Sequence, residues 1–326
     1  MRSSLRWLPA CVVVLALAAL VLPLRGGAPE AAGRPRVVGV LANAAVALPA
    51  YEGFRAGLAE LGGPPVSFLF GGVVPDDPAL AAEARRLVAG GADLILALTT
   101  KAALAALEAG RERGVPVVFA PASNPLQTGL AQSLRRPGGN ATGVTFGRQE
   151  ARRLEWLLRL VPDLESVYVP YTRDDPSPLA SLPVLREAAR TLGVSLTLEA
   201  VDGREGLRAA LARLPAGTRA ILVPADPAIS SQSREIAAFA MQRGIALSMP
   251  HREGVEQGAL MSYGFTLHGV GRQAARQALL VLSGVPPAEI PVELAEFSLS
   301  LNLEAAHRIG LDVSPLMLRQ AYVVAP

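Results

Sequence analysis

The chain has 326 residues, of which 51% are hydrophobic, and its 31 Lys and Arg residues stand against 28 Asp and Glu. Three of the arginines lie in the first 28 residues, so the rest of the chain balances 28 positive against 28 negative side chains and lacks the basic excess typical of nucleic-acid-binding proteins. Cys11 is the only cysteine, which excludes a disulfide framework and a cysteine metal site, and the length suffices for one large or two medium hydrophobic cores.

The first residues have the pattern of a secretory signal. Arg2 and Arg6 precede an apolar run at residues 10–22, and small residues follow it. A basic start, a short apolar middle and a small-residue exit are typical of a cleaved leader, so we interpret residues 1–28 as a signal peptide. This predicts an exported protein, in the periplasm or at the cell surface. The alternative is an uncleaved leader that tethers the protein to the membrane.

Beyond the leader, short β-rich runs alternate with longer helical stretches. The predicted strands of this first series lie at residues 37–41, 66–70, 94–98, 115–119 and 144–146. The helical stretches between them have apolar residues at helical spacing and a glycine near the end, where a helix stops. This alternation favours an α/β fold with a parallel sheet and helices on both faces.

The stretch RRPGGNATGVTF at residues 135–146 has the glycines of a phosphate-binding loop but not its lysine, because Val144 and Thr145 follow Gly143. We therefore predict a turn followed by a strand. The stretch lies where the first series of elements ends, so we expect it to carry the chain into a second lobe.

The alternation restarts after this point. Further strands are predicted at residues 167–171, 195–201, 220–223 and 245–248, with helices at residues 179–192, 204–214 and 230–243. A long helix at residues 267–282 and the runs PVEL and FSLSLN indicate further returns between lobes, and three such crossings would form a hinge. We predict two Rossmann-like lobes, one from residues 36–146 with about 264–291 and one from residues 147–258 with about 295–326.

The loops at the carboxyl ends of the strands are the candidate site, because ligands of open parallel sheets bind there. Several hydroxyl side chains lie near predicted helix starts, where free N–H groups suit an anion such as a carboxylate. They are Thr99, Thr100, Ser123, Ser177 and Ser230. Each could equally be an ordinary helix cap.

Asp226 follows a predicted strand and precedes Pro227, so it could bind a solute ammonium or cap a helix. Charge-assisted hydrogen bonds contribute about 1.5 to 3 kcal/mol each, so a few of them could support micromolar binding. Tyr171 and Tyr263 could pack against the apolar part of a solute or belong to the core of a lobe.

The sequence lacks the common enzyme motifs. No Gly-x-Gly-x-x-Gly follows the first strand and no Gly-x-Ser-x-Gly occurs, so neither a dinucleotide site nor a hydrolase nucleophile is predicted. Ser123, His251 and Asp226 could be drawn as a triad, but a chain of this length offers many such triples. The three histidines lie far apart, so we predict no metal site, and we predict no cofactor.

Five ordered motifs resemble one family: RPGGNATGVTF (136–146), LEWLLRLVP (154–162), LVPAD (222–226), GALMSYG (258–264) and LNLEAAHRIGL (301–311). With these motifs the chain, from about residue 36 to its end, resembles the ABC transporter substrate-binding proteins of type I periplasmic binding protein fold. The branch concerned includes tryptophan and tyrosine uptake proteins.

The resemblance implies a monomeric two-lobed receptor that closes on a small solute and presents it to a membrane permease and its ATPase. It implies solute contacts at Asn43, Thr99, Thr100, Ser123, Asn124, Tyr171, Ser177, Asp226 and Tyr263. The chain departs from the pattern of the family that it resembles at residues 43–48, which read NAAVAL, and at Asn124, where members of that family often carry Asp. The solute is therefore expected to be amino-acid-like or otherwise carboxylate-bearing, without a narrower assignment.

Our first hypothesis is a non-enzymatic solute receptor of an ABC importer, with no nucleic-acid partner. A ligand that bridges both lobes would bind the closed state better than the open one and shift the hinge equilibrium by that difference. A second hypothesis keeps the fold but has the closed form dock on a sensor kinase or chemoreceptor. The third is an exported enzyme, for which the sequence offers no convincing residue set.

Overall fold

Two β-sheets organise the part of the chain that the computed structural model describes, which comprises residues 34–147 and 149–325. The first sheet has six strands and the second has seven, and helices flank both. The predicted signal peptide lies outside the described residues. Among the described residues, no helix combines the length and the apolarity needed to cross a membrane.

The first lobe is built on the six-stranded sheet, whose strand order is β11-β5-β4-β3-β1-β2 and whose described pairings are parallel. Its elements in chain order begin with β1 (Arg36–Ala42), α1 (Leu48–Leu61), β2 (Val66–Val73), α2 (Asp77–Ala89), β3 (Leu94–Ala97), α3 (Thr100–Gly110), β4 (Val117–Ala122) and β5 (Ala141–Thr145). Two helix starts follow from local chemistry, since Asp76 and Thr99 each accept a hydrogen bond from the backbone N–H three residues on.

The second lobe is built on the seven-stranded sheet, with strand order β13-β12-β10-β9-β8-β6-β7. Its elements before the chain returns to the first lobe are α4 (Gln149–Leu160), β6 (Ser166–Thr172), α5 (Pro176–Leu192), β7 (Ser195–Val201), α6 (Gly203–Ala212), β8 (Ala220–Leu222), α7 (Pro227–Ser230), α8 (Ser233–Gln242), β9 (Ala246–Ser248), α9 (Arg252–Glu256) and β10 (Met261–Gly264). The antiparallel pairing of β10 with β12 interrupts an otherwise parallel arrangement.

The last part of the chain contributes to both lobes. Its elements are α10 (Leu267–Leu282) and β11 (Glu293–Leu294) in the first lobe, followed by β12 (Ser298–Asn302), α11 (Leu303–Arg308), α12 (Pro315–Leu318) and β13 (Ala321–Ala325) in the second. Over the described residues the chain thus crosses three times, after β5, after β10 and after β11. The predicted α/β architecture with a multi-strand hinge is confirmed.

Close packing of α10 on α1 fixes the second crossing to the first lobe. A Cβ at Gly271 would lie 1.9 Å from the carbonyl oxygen of Ala50, and one at Gly53 would lie 1.9 Å from that of His268. Only glycine allows the two backbones to approach so closely. At the hinge, the rings of Phe146 and Phe265 from two different crossings stack with centroids 5.5 Å apart.

The glycine-rich stretch at residues 135–146 forms a turn and then strand β5 of the first sheet. Asn140 donates from Nδ2 to the carbonyl of Val115 at 2.8 Å, and β5 begins at the next residue. Gly143 has φ +151°, and a Cβ there would lie 2.2 Å from the carbonyl oxygen of Phe119 on β4. The predicted turn and strand are confirmed, with the strand starting three residues earlier than expected.

Two element predictions differ from the structure in detail. The strand predicted from residue 115 begins at Val117, because the N–H of Val115 bonds instead to the carbonyl of Gly110 and closes the preceding helix. The helix predicted over residues 230–243 is α8 and begins only at Ser233, because Ser230 ends the separate short helix α7 that starts after Asp226 with Pro227.

Candidate functional site

A narrow pocket lies between the lobes, with a cavity volume of about 50 Å³. The first lobe contributes Val46, Ala47, Leu98, Thr99, Thr100 and Pro121 to its wall. The second lobe contributes Ser177, Ala225, Asp226, Pro227, Ser230, Pro250 and His251. Phe146, Phe265 and Leu267 line it at the hinge crossings. Most of this wall is apolar, so the few polar side chains determine which solute chemistry it accepts.

The polar part of the first-lobe wall is the start of α3, where local hydrogen bonds hold two threonines. Thr99 caps the helix by accepting from the N–H of Ala102 at 3.1 Å, and its hydroxyl donates to Asn43 Oδ1. Thr100 Oγ1 accepts from the N–H of Ser123 at 2.8 Å. Of the predicted contacts, Thr99 and Thr100 therefore line the pocket, whereas Asn43 and Ser123 hold them from outside the lining.

Asp226 lies in the second-lobe wall and is 1% exposed. Its Oδ1 accepts from the N–H of Ile229 and from the hydroxyl of Thr172, both at 3.0 Å, and its Oδ2 accepts from the N–H of Thr172 at 2.6 Å. Burial raises the pKa of Asp226, although these hydrogen bonds oppose the shift. The carboxylate therefore caps α7 and also ties the end of β6 to the loop after β8.

A second carboxylate, Asp175, lies close to the first and was not singled out from the sequence. It caps α5 by accepting from the N–H of Ser177 at 2.8 Å. Burial, followed by the negative charge of Asp226, raises the pKa of Asp175 to about 6, against the smaller opposing effect of Lys101 from the first lobe. The second-lobe side of the pocket thus concentrates negative charge, which favours a cationic group nearby.

Ser123 connects the lobes directly. Its hydroxyl donates to the carbonyl of Ser177 at 3.0 Å and lies 3.2 Å from the hydroxyl of Ser181. Ser123 belongs to the loop after β4 of the first lobe, and both partners belong to α5 of the second. The hydrogen bond to Ser177 forms only while this loop and α5 are in contact.

The remaining predicted contacts lie elsewhere. Asn124 follows Ser123 in the same loop and is half-buried, with φ +30° and a hydrogen bond of 2.9 Å from its Nδ2 to Gln127 Oε1. Tyr171 packs against the second-lobe core. Tyr263 stacks between Trp156 and Phe297, at centroid distances of 6.3 and 6.1 Å.

His251 lines the pocket. From the sequence it was considered only as a member of a triad with Ser123 and Asp226, which was rejected. The histidine is 4% exposed, and its Nε2 has no hydrogen-bond partner among the described residues. Its Nδ1 lies 3.3 Å from Glu253 Oε2, and Glu253 Oε1 accepts from the N–H of Leu267 at 2.7 Å. Burial alone would raise the pKa of Glu253, but its contact with His251 and the hydrogen bond from the N–H of Leu267 oppose burial, and the pKa is lowered.

The triad drawn from the sequence does not assemble. Ser123 is engaged with Ser177 and Asp226 with Thr172, and the acid next to His251 is Glu253. Within residues 34–147 and 149–325, no group of three or more His, Cys, Asp or Glu side chains is placed to hold a metal ion.

A buried ion pair supports the loop that carries Asp226. Arg153 and Glu150 on α4 are 0% and 1% exposed and form a hydrogen-bonded pair through Arg153 Nη2 and Glu150 Oε2. The other carboxylate oxygen of Glu150 accepts from the N–H of Ala225 at 3.0 Å. Breaking one partner of such a pair leaves a buried charge uncompensated, so the pair fixes this part of the pocket wall.

Comparison with known proteins gives a consistent picture. The family model for ABC transporter substrate binding proteins matches residues 38–325. A tyrosine-binding protein of Clostridioides difficile (strain R20291) is 25% identical over 238 residues, which are 73% of this chain and 68% of that relative.

Two solved structures share the fold, and one of them superposes on this chain better than the other. A structure of the ABC domain in complex with L-Trp, from Streptococcus pneumoniae, has a TM-score of 0.83 at 24% identity. The ligand-free, open structure of a substrate binding protein with adhesive properties from Clostridium difficile has a TM-score of 0.66 at 21% identity. Both alignments cover 89% of this chain and 99% of the other.

Proposed function

As the chain belongs to the ABC transporter substrate binding protein family, whose model spans residues 38–325, we propose that it is the extracytoplasmic receptor of an ABC importer. Its solute is an amino acid or a similar carboxylate-bearing molecule, bound without chemical change between the lobes. The observation that carries the proposal is a buried pocket whose wall comes from both lobes and from the hinge.

Two sites of opposite polarity support an amino-acid-like solute. The start of α3 presents backbone N–H groups beside Thr99 and Thr100, and a helix N-terminus favours a carboxylate. Asp226 and its neighbour Asp175 supply negative charge on the other lobe, which favours an ammonium group. A solute with both groups would bridge the lobes.

The apolar part of the wall supports a solute with a sizeable apolar side chain. Leu98, Phe146, Phe265 and Leu267 contribute to it. The names of two relatives, a tyrosine-binding protein and a complex with L-Trp, agree with this reading. We propose an aromatic amino acid as the first solute to test.

Hinge closure is supported by size and by similarity. An engineered cavity that binds benzene measures about 150 Å³, whereas this pocket measures about 50 Å³. An aromatic solute would therefore enter only after the lobes separate or side chains move. The higher TM-score to the L-Trp complex than to the open, ligand-free relative supports assigning the arrangement seen here to the closed state.

The function is tested by a thermal-shift screen of the mature chain against the twenty amino acids, small carboxylates, sugars and nucleosides, followed by calorimetry on each hit. A ligand at 100 times its dissociation constant should stabilise the protein by about 2.7 kcal/mol. We expect a response confined to amino acids or carboxylates. A response to sugars or nucleosides alone would contradict the proposed solute class.

Import is tested separately with the neighbouring permease and ATPase in proteoliposomes. The loaded receptor should stimulate ATP hydrolysis and solute uptake, because the closed form is the one presented to the permease. A receptor that binds its solute tightly but stimulates neither process would contradict the import role while leaving solute binding intact.

A further inference from the structure

The pocket contains a buried histidine with a ring nitrogen that no described residue hydrogen-bonds. His251 is 4% exposed and lines the pocket, and its Nε2 lacks a hydrogen bond to the described residues. Thr99, Thr100 and Asp226, in contrast, are engaged with protein partners. Burying a polar group with no hydrogen bond is costly, so a native structure that does this at a ligand site indicates a bond made to the ligand.

Glu253 fixes which nitrogen is available. Its Oε1 is held by the N–H of Leu267 at the start of α10, and its Oε2 faces His251 Nδ1 at 3.3 Å. A carboxylate at this distance favours the proton on Nδ1 in the neutral ring. The opposite nitrogen, Nε2, then carries a lone pair and acts as an acceptor.

The surroundings of His251 define the part of the solute that it meets. Its ring lies 6.2 Å from the ring of Phe265, which stacks on Phe146. These rings form an apolar wall at the hinge, with the imidazole as its polar member. Ser230, also buried and lining the pocket, has a hydroxyl without a partner among the residues described.

We propose that His251 determines side-chain specificity by accepting, at Nε2, a hydrogen bond from an O–H or N–H group on the solute's apolar side chain. The inference rests on the proposed solute-binding function and narrows its substrate class to amino acids whose apolar or aromatic side chain carries such a donor. Glu253 is a positioning residue, acting through His251. A solute that lacks the donor leaves Nε2 buried and unpaired in the complex, which weakens binding.

The test is a calorimetric comparison of L-tyrosine with L-phenylalanine, two solutes that differ by one hydroxyl. We expect the wild-type protein to bind L-tyrosine more tightly by roughly 10-fold to 100-fold, the effect of one buried unpaired group. The His251→Phe variant should reduce this ratio to about 1. The His251→Gln variant keeps a polar atom near the position of Nε2 and should retain part of the preference.

The proposed role of Glu253 in positioning His251 is tested by a separate variant. The Glu253→Gln variant keeps an acceptor for the N–H of Leu267 but removes the charge facing Nδ1. It should weaken L-tyrosine binding while leaving L-phenylalanine binding unchanged, whereas a purely structural role would weaken both equally. Ser133→Ala, an exposed turn residue whose hydroxyl bonds only within its turn, is the matched control.

The outcomes separate this inference from the proposed function. Equal wild-type affinity for the two solutes, or a preference unchanged in His251→Phe, overturns the role of His251 while amino-acid binding stands. Binding of no amino acid and no carboxylate overturns the function and this inference together. The wild-type comparison needs no variant, so a variant that fails to fold does not affect it.

Discussion

The two lobes bring different chemistry to the same pocket. The first lobe offers neutral hydroxyls at the start of α3, and their hydrogen bonds are completed by Asn43 and Ser123 of the same lobe. The second offers two buried carboxylates with raised pKa values and a histidine whose Nε2 has no partner in the part of the chain that the structure describes. The first wall is therefore organised before any solute arrives. In the second wall, carboxylates and an imidazole are buried at a cost in free energy. A cationic or hydrogen-bond-donating group on the solute can lower this cost.

The largest expected effect comes from removing the carboxylate that holds the second wall. Asp226→Ala leaves the N–H groups of Ile229 and Thr172 without their acceptor. We expect the free energy of unfolding to fall by roughly 4 kcal/mol, from the loss of a helix cap and of hydrogen bonds to a charged group. Solute binding should weaken in the same variant. Urea denaturation and calorimetry measure the two effects.

The corresponding first-lobe variant is Thr100→Val, which removes one hydrogen bond, to the N–H of Ser123. It should cost about 1 kcal/mol of stability. If Asp226→Ala lost solute binding with unchanged stability, the carboxylate would serve the solute alone and the contrast between the lobes would disappear.

The contrast between the two lobes is tested further by the pH dependence of stability that Asp175 causes. Its pKa of about 6 in the folded protein lies above its ordinary value of 3.8, so the folded state holds this proton more tightly than the unfolded state. Its contribution to stability is therefore greatest below about pH 4, falls as the pH rises toward 6 and stays low above that. Asp175→Asn keeps an acceptor for the N–H of Ser177 and removes the charge.

In the ligand-free protein at pH 7.5 we expect Asp175→Asn to raise the free energy of unfolding by as much as about 3 kcal/mol. Below pH 4 the variant and the wild type should be alike. Thermal denaturation across pH 3.5 to 8 measures the difference. A variant that is less stable at every pH would mean that Asp175 contributes more as a cap than it costs as a buried charge.

A smaller effect is expected where the lobes touch. Ser123→Ala removes the hydrogen bond to the carbonyl of Ser177, which exists only while the lobes are in contact. A loss of about 1 kcal/mol from the closed state should weaken solute binding several-fold and enlarge the ligand-free protein in solution. Small-angle X-ray scattering with and without solute measures the change, and unaltered dimensions and affinity would argue against a closing role.

The smallest effect is expected away from both walls. Arg208 and Arg204 hold the pKa of Glu235 at about 2, but this cluster is on the surface of the second lobe. Glu235→Gln should change stability by less than about 1 kcal/mol, with the difference shrinking at high salt. Solute affinity should not change. A change in affinity would show that charge on the second lobe acts at long range.

The types of the secondary-structure elements could be predicted from local chemistry, but the candidate site could be predicted only in part. The helix at residues 267–282 was predicted with the bounds observed for α10, because Thr266 caps its start and its apolar residues follow helical spacing. Thr99 and Thr100 were predicted from their place before a helix, which is a property of neighbouring residues. Their hydrogen-bond partners Asn43 and Ser123 lie outside the pocket lining. To predict these partners, one would have to know which strands are neighbours in the sheet.

The residues that sequence reasoning missed depend on contacts between distant segments. His251 is significant because Phe265 packs beside it and because its Nε2 has no partner among the described residues, and its local sequence reveals neither. Tyr263 was expected to contact either solute or core, and only the positions of Trp156 and Phe297 place it in an aromatic stack. Asn124, Tyr171 and Tyr263 stay predictions as solute contacts.

The path of the chain between the lobes also bears on the order in which the protein assembles during synthesis. The first lobe begins at residue 36 but lacks α10 and β11 until residues 267–294 have emerged, while α1 awaits its partner helix across more than two hundred residues. Contacts between such distant segments slow folding and leave apolar surface uncovered in the meantime. The lobe that starts first is therefore expected to finish late, and the nascent chain to depend on protection until α10 arrives.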